Sequence, residues 1–246
     1  MKNVSLSLTA ALVFSAGVCF ASGSGHWGYT GPTGPEHWGS LNPAYEMCAK
    51  GVNQSPIDLT GFIEAELPPI EFHYTGLATE ILNNGHAIQA NYTAGSTIQA
   101  AGKVFELKQF HFHSPSENTI DGNYFPMEGH FVHVADDGSL AVVAVMYKIG
   151  AENDGMAKLW KQMPHAAGER EAMAAQVRAQ DLLPENRDYY RFNGSLTTPP
   201  CTEGVLWLVM KDPVEVSKEQ VEQFKHTMHH PNNRPVQPIG ARAVLK

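Results

Sequence analysis

The five residues Gln109-Phe110-His111-Phe112-His113 constrain the fold of this chain more than any other stretch. Their apolar, aromatic character predicts a β-strand, and side chains two apart in a strand point to the same face. His111 and His113 therefore lie side by side, while Phe110 and Phe112 face the other way. Two imidazoles on one strand face are half of a metal site. The remaining ligands must come from elsewhere in the chain.

A second histidine pair occurs in Glu128-Gly129-His130-Phe131-Val132-His133-Val134, which also has strand character. Parity places Glu128, His130 and Val132 on one face, and Phe131 and His133 on the other. If the strand is straight, only one of these two histidines can share a metal with the first pair. The residues alone do not decide which.

Short alternating runs separated by turn signals predict a mainly β fold, described as α+β in some schemes. The runs are Ile70–Tyr74, Ala87–Tyr92 and Val104–Leu107, and Asn83-Asn84-Gly85 is one of the turns. The segment Leu140–Tyr147 is almost continuously apolar, which is typical of a central strand covered on both faces. We expect one domain with a large, twisted, mostly antiparallel central sheet and short peripheral helices.

Two helices are predicted. Ser217-Lys218-Glu219-Gln220 has capping-box form, and Val221, Phe224 and Met228 follow at helical spacing. The second candidate, about Gly168–Gln180, has a helix-forming composition but a weaker apolar face.

The first 21 residues predict export. They contain one charge, Lys2, and an apolar run from Leu6 to Phe20, followed by small residues that favour cleavage after Ala21. A lipid-anchored start at Cys19 is the alternative. No later segment is long and apolar enough to span a membrane. The mature protein, residues 22–246, is therefore expected to be periplasmic or secreted.

Two cysteines, Cys48 and Cys201, remain after the signal peptide, and in an exported protein a disulfide between them is the economical interpretation. Two buried free thiols are the alternative. The chain has 17 Lys+Arg against 25 Asp+Glu, a formal charge of −8, and no basic cluster. This balance argues against nucleic-acid binding.

Three histidines from two strands would hold a zinc ion with its fourth position open to water, as in a catalytic site. Because imidazole is neutral, such a set keeps the full positive charge of zinc, which lowers the pKa of bound water towards 7. His86, which follows the Asn83-Asn84-Gly85 turn, is by itself best interpreted as an exposed loop histidine.

Three segments resemble, in order and at similar separations, the signature segments of the α-class carbonic anhydrases. They are Gln109-Phe110-His111-Phe112-His113, Glu128-Gly129-His130-Phe131-Val132-His133 and Gly194-Ser195-Leu196-Thr197-Thr198-Pro199-Pro200. Further similar segments are Trp27-Gly28-Tyr29, Gly34-Pro35-Glu36-His37-Trp38, Asn53-Gln54-Ser55-Pro56-Ile57, Asn83-Asn84-Gly85-His86-Ala87 and Asn233-Arg234-Pro235-Val236-Gln237-Pro238. The resemblance covers essentially the whole mature chain.

The zinc ligands implied by the resemblance are His111, His113 and His130. His133 is then structural. Gln109 and Glu128 would accept the outward ring N–H of two ligand histidines, and a backbone carbonyl near Asn232 would accept the third. The paired cysteines Cys48 and Cys201 also match those of bacterial, exported members.

The resemblance also implies the reacting groups. Thr197 would donate its hydroxyl proton to Glu117, and its backbone N–H would meet the developing bicarbonate oxygen. Carbon dioxide, which has no charge or dipole, would lie against a wall formed by Val132, Val142, Leu196, Val205 and Trp207, with Thr197 and Thr198 beside it.

Protons would leave through His86, at the position of the family's shuttle histidine, which reverses its first interpretation. The residues expected to order the intervening waters are Tyr29, Asn84 and Gln89. The chain departs from the family at two positions: Gln89 replaces an Asn common in animal members, and Phe192 replaces a Tyr whose hydroxyl supports the Thr197 network.

The implied function is zinc-dependent, reversible hydration of carbon dioxide to bicarbonate and a proton, by attack of hydroxide at zinc. Ester hydrolysis is an expected side activity, and sulfonamide- or anion-type inhibitors are expected to bind. The protein is expected to be a monomer or homodimer. The alternatives are a non-catalytic binding protein of the same fold, which would be expected to lack a ligand histidine, and a zinc hydrolase for another substrate, which would need a polar cleft.

Overall fold

Residues 26–246 are described by the computed structural model, and the predicted signal peptide, residues 1–21, lies outside them. The strands are β1 (Asp58–Leu59), β2 (Glu71–His73), β3 (Ala78–Asn83), β4 (Ile88–Tyr92), β5 (Thr97–Ala100), β6 (Lys103–His113), β7 (Thr119–Ile120), β8 (Met127–Val134), β9 (Leu140–Ile149), β10 (Arg170–Ala172), β11 (Tyr189–Ser195), β12 (Glu203–Met210) and β13 (Val214–Val216). The α-helices are α1 (Trp38–Leu41), α2 (Met47–Lys50), α3 (Asp154–Trp160) and α4 (Lys218–Met228). Short 3-10 helices cover Gly31–Thr33, Pro43–Tyr45 and Ala179–Leu182.

Within this range the strands form an 11-stranded sheet, in which β10, β3, β4, β6, β8, β9, β12 and β11 lie side by side in that order. Strand β5 pairs with both β2 and β6, and β13 pairs with β9. Neighbours are antiparallel except at β9, which runs parallel to β12 and β13. Strands β1 and β7 form a separate two-stranded parallel sheet. The mainly β class with a large, mostly antiparallel sheet and short helices is confirmed.

Strand β9 lies in the interior, as its continuous apolar sequence predicts. Its residues from Ala141 to Tyr147 are buried, and they alternate between two cores. Val143 and Tyr147 belong to the larger hydrophobic cluster on one face of the sheet, whereas Val142 belongs to a second cluster on the other face. Side-chain alternation in one buried strand thus gives the sheet two apolar faces.

Helix α4 forms where the capping box predicts it. The Ser217 hydroxyl accepts a hydrogen bond from the backbone N–H of Gln220, whose side chain accepts from the Ser217 backbone N–H. The helix buries Val221, Phe224 and Met228 against the larger cluster. In the range 26–246, no helix is apolar over a length that could cross a membrane.

The helix predicted over Gly168–Gln180 is wrong. Gly168 has φ +89°, and Arg170–Ala172 forms edge strand β10 against β3. Backbone pairing with an open sheet edge overrides the helix propensity of this segment, which has no strong apolar face to bury. The helix in this part of the chain is instead α3, where the Asn153 side chain accepts from the Met156 backbone N–H. That cap is a helix start signal in the sequence that our prediction missed.

Candidate metal centre

The two histidine motifs lie on neighbouring strands. Strands β6 and β8 pair antiparallel with His111 opposite His130. The ligand atoms of His111, His113 and His130 all lie within 4.8 Å of one another, and these residues are the one group of three potential metal ligands in residues 26–246. His133 projects from the other face of β8, where its Nε2 lies 2.6 Å from the Tyr74 hydroxyl. The structure therefore groups His130, and not His133, with the first pair.

Each of the three histidines has one ring nitrogen directed at an oxygen. His111 Nδ1 lies 2.9 Å from Gln109 Oε1, and His113 Nδ1 lies 2.7 Å from the backbone oxygen of Asn232. His130 Nε2 lies 3.0 Å from Glu128 Oε1. Amide and carbonyl oxygens accept hydrogen bonds, so Gln109 and Asn232 place the ring protons of His111 and His113 on Nδ1. The contact between His130 and Glu128 is close but lacks hydrogen-bond geometry.

The other ring nitrogen of each histidine then offers a lone pair to a metal, and these three nitrogens lie close together. The Nε2 atom of His113 is buried and has no hydrogen-bond partner. An orphaned, buried imidazole nitrogen is costly unless it binds something, and a transition metal suits it. The three histidines therefore fit a metal on the observed donor set.

Burial keeps all three imidazoles neutral. It lowers the pKa of His111 well below its ordinary value, and the neighbouring imidazoles of His113 and His130 lower it further. Burial likewise lowers the pKa of His130 well below the ordinary value, and His113 adds to the effect. The pKa of His113 is lowered by burial, against the opposing hydrogen bond to Asn232. Neutral imidazole is the form that binds metal.

Glu128 is a buried carboxylate held by three N–H groups. Its Oε2 accepts from the backbone N–H of Glu117 at 2.7 Å and of Asn118 at 2.8 Å, and Oε1 accepts from the Asn118 side chain at 2.7 Å. Burial raises the pKa of Glu128, and these hydrogen bonds oppose the rise. Asn118, which our sequence analysis did not single out, thus fixes the carboxylate beside His130.

Glu117 lies between the histidines and the loop that follows β11. Its Oε1 accepts from the Arg234 backbone N–H at 2.8 Å, and Oε2 lies 3.5 Å from His113 Nε2. Burial raises the pKa of Glu117 to about 8, while the hydrogen bond from the Arg234 backbone and the Thr197 side chain oppose the rise. Thr197 thus acts on the protonation of Glu117, and the hydrogen bond that the resemblance implies between them stays a prediction.

The loop that carries Thr197 is anchored at both ends. On one side the Ser55 hydroxyl accepts from the Ser195 backbone N–H at 3.1 Å, beside Gly194, where a Cβ would lie 2.1 Å from Ser55 Oγ. On the other side Cys201 forms the expected disulfide with Cys48, with an S–S distance of 2.07 Å. Thr198 closes the turn by accepting from the Cys201 backbone N–H at 2.8 Å.

The apolar residues predicted to hold carbon dioxide are packed together. Val132, Val142, Leu196, Val205 and Trp207 all belong to the second hydrophobic cluster, on the face of the sheet that bears the three histidines. The Trp207 ring meets the His130 ring edge-on at 4.9 Å between centroids. Phe192 stacks on Trp207, with 5.8 Å between the ring centroids, and has no hydroxyl that could join the Thr197 network.

His86 lies in a cluster of rings formed with the N-terminal segment. It stacks on Trp27, with 3.6 Å between the ring centroids and 10° between the planes. Burial lowers the pKa of His86 to about 4, with smaller contributions from His26 and His230. Sequence analysis singled out Trp27 only as part of a segment that resembles the family, because a stack between residues so far apart in the chain leaves no local signal.

The other residues predicted to line the proton path lie near His86. The Asn84 side-chain oxygen accepts from the His86 backbone N–H at 2.9 Å, and its amide donates to Gln89 at 3.3 Å. Tyr29 is buried, and its hydroxyl has no hydrogen-bond partner. Burial raises the pKa of Tyr29 well above its ordinary value, and the charge of Glu117 raises it further.

Arg234 is a buried residue whose position the sequence did not reveal. Its guanidinium donates to Gln54 at 2.9 Å, to the Ser55 backbone oxygen at 2.7 Å and to that of Cys48 at 3.0 Å. Burial lowers the pKa of Arg234 to about 10, while the charge of Glu117 opposes the shift. Arg234 therefore connects Glu117 with the segments that anchor the Thr197 loop.

A large, mostly antiparallel sheet on which three histidines converge from two strands, two of them buried and His111 half-buried, defines the class: a β protein with the geometry of a site for one metal ion. A sequence model of the eukaryotic-type carbonic anhydrase family matches residues 33–246. A carbonic anhydrase of Pectobacterium carotovorum is 46% identical over 243 residues, covering 99% of this chain and 98% of the relative.

Solved structures agree with these matches. The α-carbonic anhydrase of Thermovibrio ammonificans, in complex with the inhibitor sulfanilamide, has a TM-score of 0.90 and 50% identity, covering 91% of this chain and all of that one. Carbonic anhydrase Cah3 of Chlamydomonas reinhardtii, in complex with acetazolamide, has a TM-score of 0.80 and 32% identity, covering 89% and 98%. The chain belongs to the eukaryotic-type, or α, carbonic anhydrase family, whose enzymes hydrate carbon dioxide.

Proposed function

We propose that this protein is a zinc enzyme that converts carbon dioxide and water reversibly to bicarbonate and a proton, with His111, His113 and His130 as the ligands. The observation that carries the proposal is the trio of neutral imidazoles, two of them buried and His111 half-buried, each with one ring nitrogen directed at an oxygen. Zinc, when bound, supplies a Lewis acid that lowers the pKa of a water molecule towards 7.

Thr197 and Glu117 orient the attacking oxygen. Glu117 Oε2 lies 3.5 Å from His113 Nε2, and Glu117 would be ionised when that nitrogen binds a divalent cation. An ionised carboxylate only accepts hydrogen bonds, so the Thr197 hydroxyl donates to it and is left as an acceptor. Thr197 Oγ then accepts the O–H of the reacting water and turns the lone pairs of that oxygen towards the substrate. Its backbone N–H meets the oxygen on which negative charge develops.

The apolar wall binds carbon dioxide. The substrate has no net dipole and cannot compete with water for polar groups, so an apolar surface beside the reacting oxygen favours it. Trp207, whose ring contacts His130, places this wall next to the ligands. Thr198 borders it on the side of the loop.

His86 takes the released proton through waters ordered by Tyr29, Asn84 and Gln89. Burial lowers the pKa of His86 to about 4, which favours release of the proton to a buffer base but limits the fraction of His86 that is protonated at neutral pH.

The remaining proposals concern context. Residues 1–21 direct export to the periplasm or the exterior, and residues 22–246 form the mature enzyme, in which the Cys48–Cys201 disulfide persists. The relatives in complex with sulfanilamide and acetazolamide support the proposal that sulfonamides bind this centre as well. The same reactive water would hydrolyse activated esters as a side activity.

The test of the central proposal is stopped-flow carbon dioxide hydration before and after removal of metal with a chelator. We expect hydration to fall to the uncatalysed rate and to be restored by one equivalent of zinc but not by magnesium, which prefers oxygen ligands. A rate that is unchanged by complete metal removal would refute the zinc mechanism.

Export is tested on the intact mass of the protein recovered from the periplasm or medium. We expect a mature chain that begins at Ser22. A lipid-modified Cys19 at the N-terminus would replace the proposal of a freely released enzyme with that of an anchored one.

A further inference from the structure

Three histidines from three separate segments lie around one another at the edge of the site. His26 lies at the start of the described chain, His86 follows the turn after β3, and His230 lies in the loop after α4. His26 and His230 are close enough to His86 for both to act on it electrostatically, and both disfavour its charged form. His26 is exposed, whereas His86 and His230 are half-buried.

Tyr29 connects this group of histidines with the metal centre. Its ring centroid lies 6.5 Å from that of His86 and 6.1 Å from that of His230. The charge of Glu117, the carboxylate beside the ligand histidines, disfavours the ionised form of Tyr29. The Tyr29 hydroxyl is buried without a hydrogen-bond partner. The two histidines therefore border the same aromatic side chain, which extends towards the reacting groups.

The loop that bears His230 is also tied to both parts of the site. The Asn232 side chain donates to the backbone oxygen of His86 at 3.0 Å, and its backbone oxygen faces Nδ1 of ligand His113 at 2.7 Å. His230 Nδ1 lies 2.9 Å from the backbone oxygen of Pro231. A carbonyl only accepts, so the ring proton of neutral His230 lies on Nδ1 and Nε2 is the basic nitrogen.

We propose that His230 is a second proton acceptor of this enzyme, which receives protons beside His86 rather than through it. This inference rests on the proposed function. The proton that leaves the reacting water bonds to Nε2 of His230 and forms the imidazolium ion, and a buffer base then removes it. No electron is transferred, and water, imidazole and buffer are the only reactants.

The need for a second acceptor follows from the surroundings of His86. Burial disfavours a positive charge on His86, and the nearby imidazoles of His26 and His230 add to this effect. At neutral pH an imidazole with a pKa of about 4 is protonated in about one molecule in a thousand, so it carries few protons at a time. A parallel acceptor beside the same tyrosine relieves that restriction.

The kinetic test compares His86→Ala, His230→Ala and the double variant in the zinc-loaded enzyme. His73→Ala is the control, because His73 is an exposed imidazole on strand β2, beside Glu71. In dilute buffer we expect kcat to fall about threefold to tenfold for His230→Ala and further for the double variant than for either single one. We expect kcat/KM for carbon dioxide to stay unchanged, and added imidazole to restore kcat.

A double variant with the same kcat as His86→Ala would overturn the parallel acceptor. A wild-type enzyme without zinc-dependent hydration would instead refute the proposed function, so the two failures are distinguishable.

An NMR titration of the histidine ring protons gives a readout that does not depend on turnover. Because His230 disfavours the charge on His86, the pKa of His86 should rise in His230→Ala and remain as in wild type in His73→Ala. An unchanged His86 titration in His230→Ala would contradict the proximity on which the inference depends.

Discussion

The metal centre and the edge of the site, formed by His86 and the rings around it, are built in different ways. At the centre His113, His130, Glu117 and Glu128 are at most 1% exposed, and three of the four are held by hydrogen bonds from or to other segments. At the edge His86 is half-buried and is positioned by a ring stack and by a turn. The contacts at the centre therefore determine the direction and the protonation state of each side chain, whereas the contacts at the edge determine only how close the rings lie to one another. Substitutions should affect metal binding and catalysis at the centre, and proton release at the edge.

The largest effect is expected from His130→Ala. Removal of one of three ligands should release zinc and lower hydration by about 1000-fold or more, equivalent to about 4 kcal/mol of activation free energy. The measurement is zinc content after dialysis, together with stopped-flow hydration. The matched control is His133→Ala, because His133 is buried on the same strand but faces Tyr74 on the opposite side of the sheet.

We expect His133→Ala to lower thermal stability and to retain one equivalent of zinc. If His133→Ala lost its metal and His130→Ala retained it, the separation of the two sheet faces that underlies the ligand assignment would be wrong.

The disulfide links the N-terminal segment, which provides Trp27 to the edge, with the loop of the centre. It joins residues 153 apart in sequence, and bridges typically contribute about 2–4 kcal/mol to the free energy of unfolding. We expect Cys48→Ser/Cys201→Ser to lose that much stability while it retains zinc, because neither cysteine contacts the ligand histidines. Denaturant unfolding and zinc content are the measurements. Equal unfolding midpoints in the variant and the wild type would contradict this role.

Thr197→Val tests the orientation of the reacting water. Valine keeps the shape of threonine but cannot donate to Glu117 or accept from water, so kcat/KM should fall about 100-fold, as for loss of one catalytic hydrogen bond. Thr198→Val is the control, because its known contact is through the backbone, which accepts from Cys201. The kcat/KM of Thr198→Val should fall less than that of Thr197→Val. Equal losses in the two variants would place the critical hydroxyl elsewhere in the loop.

Glu128 and Gln109 each contact a ligand histidine, and the more buried of the two should contribute more to zinc affinity. Glu128 is fully buried and accepts three hydrogen bonds, whereas Gln109 is half-buried. We expect Glu128→Gln to weaken zinc binding about 100-fold and Gln109→Ala about tenfold, the two ends of the range for such supports. Competition with a chromogenic chelator measures both affinities. The reverse order would show that burial does not determine the strength of the support.

The sequence predicted the centre better than the edge, and the reason is physical. Strand alternation places His111 and His113 on one face, and parity restricts the second strand to one ligand. Only resemblance chose His130 over His133, since the direction of a whole strand depends on which core it faces. Asn118 contacts Glu128, 10 residues away, and Arg234 contacts Cys48, 186 residues away, and no strand or helix period encodes either contact. The helix over Gly168–Gln180 was wrong for the same reason, because the pairing of β10 with β3 is not local.

The smallest effect is expected at the edge, from Trp27→Ala. Loss of the indole exposes His86 to water, which removes the main cause of its low pKa, so the pKa of His86 should rise from about 4 to about 6. Trp27→Phe is the control, because a smaller ring can keep part of the stack and should give a smaller rise. NMR titration measures the pKa, and kcat in dilute buffer should change by no more than about threefold. Because Trp27 does not contact the ligand histidines, zinc content and kcat/KM should remain at wild-type values. A loss of zinc in Trp27→Ala would show instead that the edge helps to hold the centre together, and the distinction between the two regions would no longer stand.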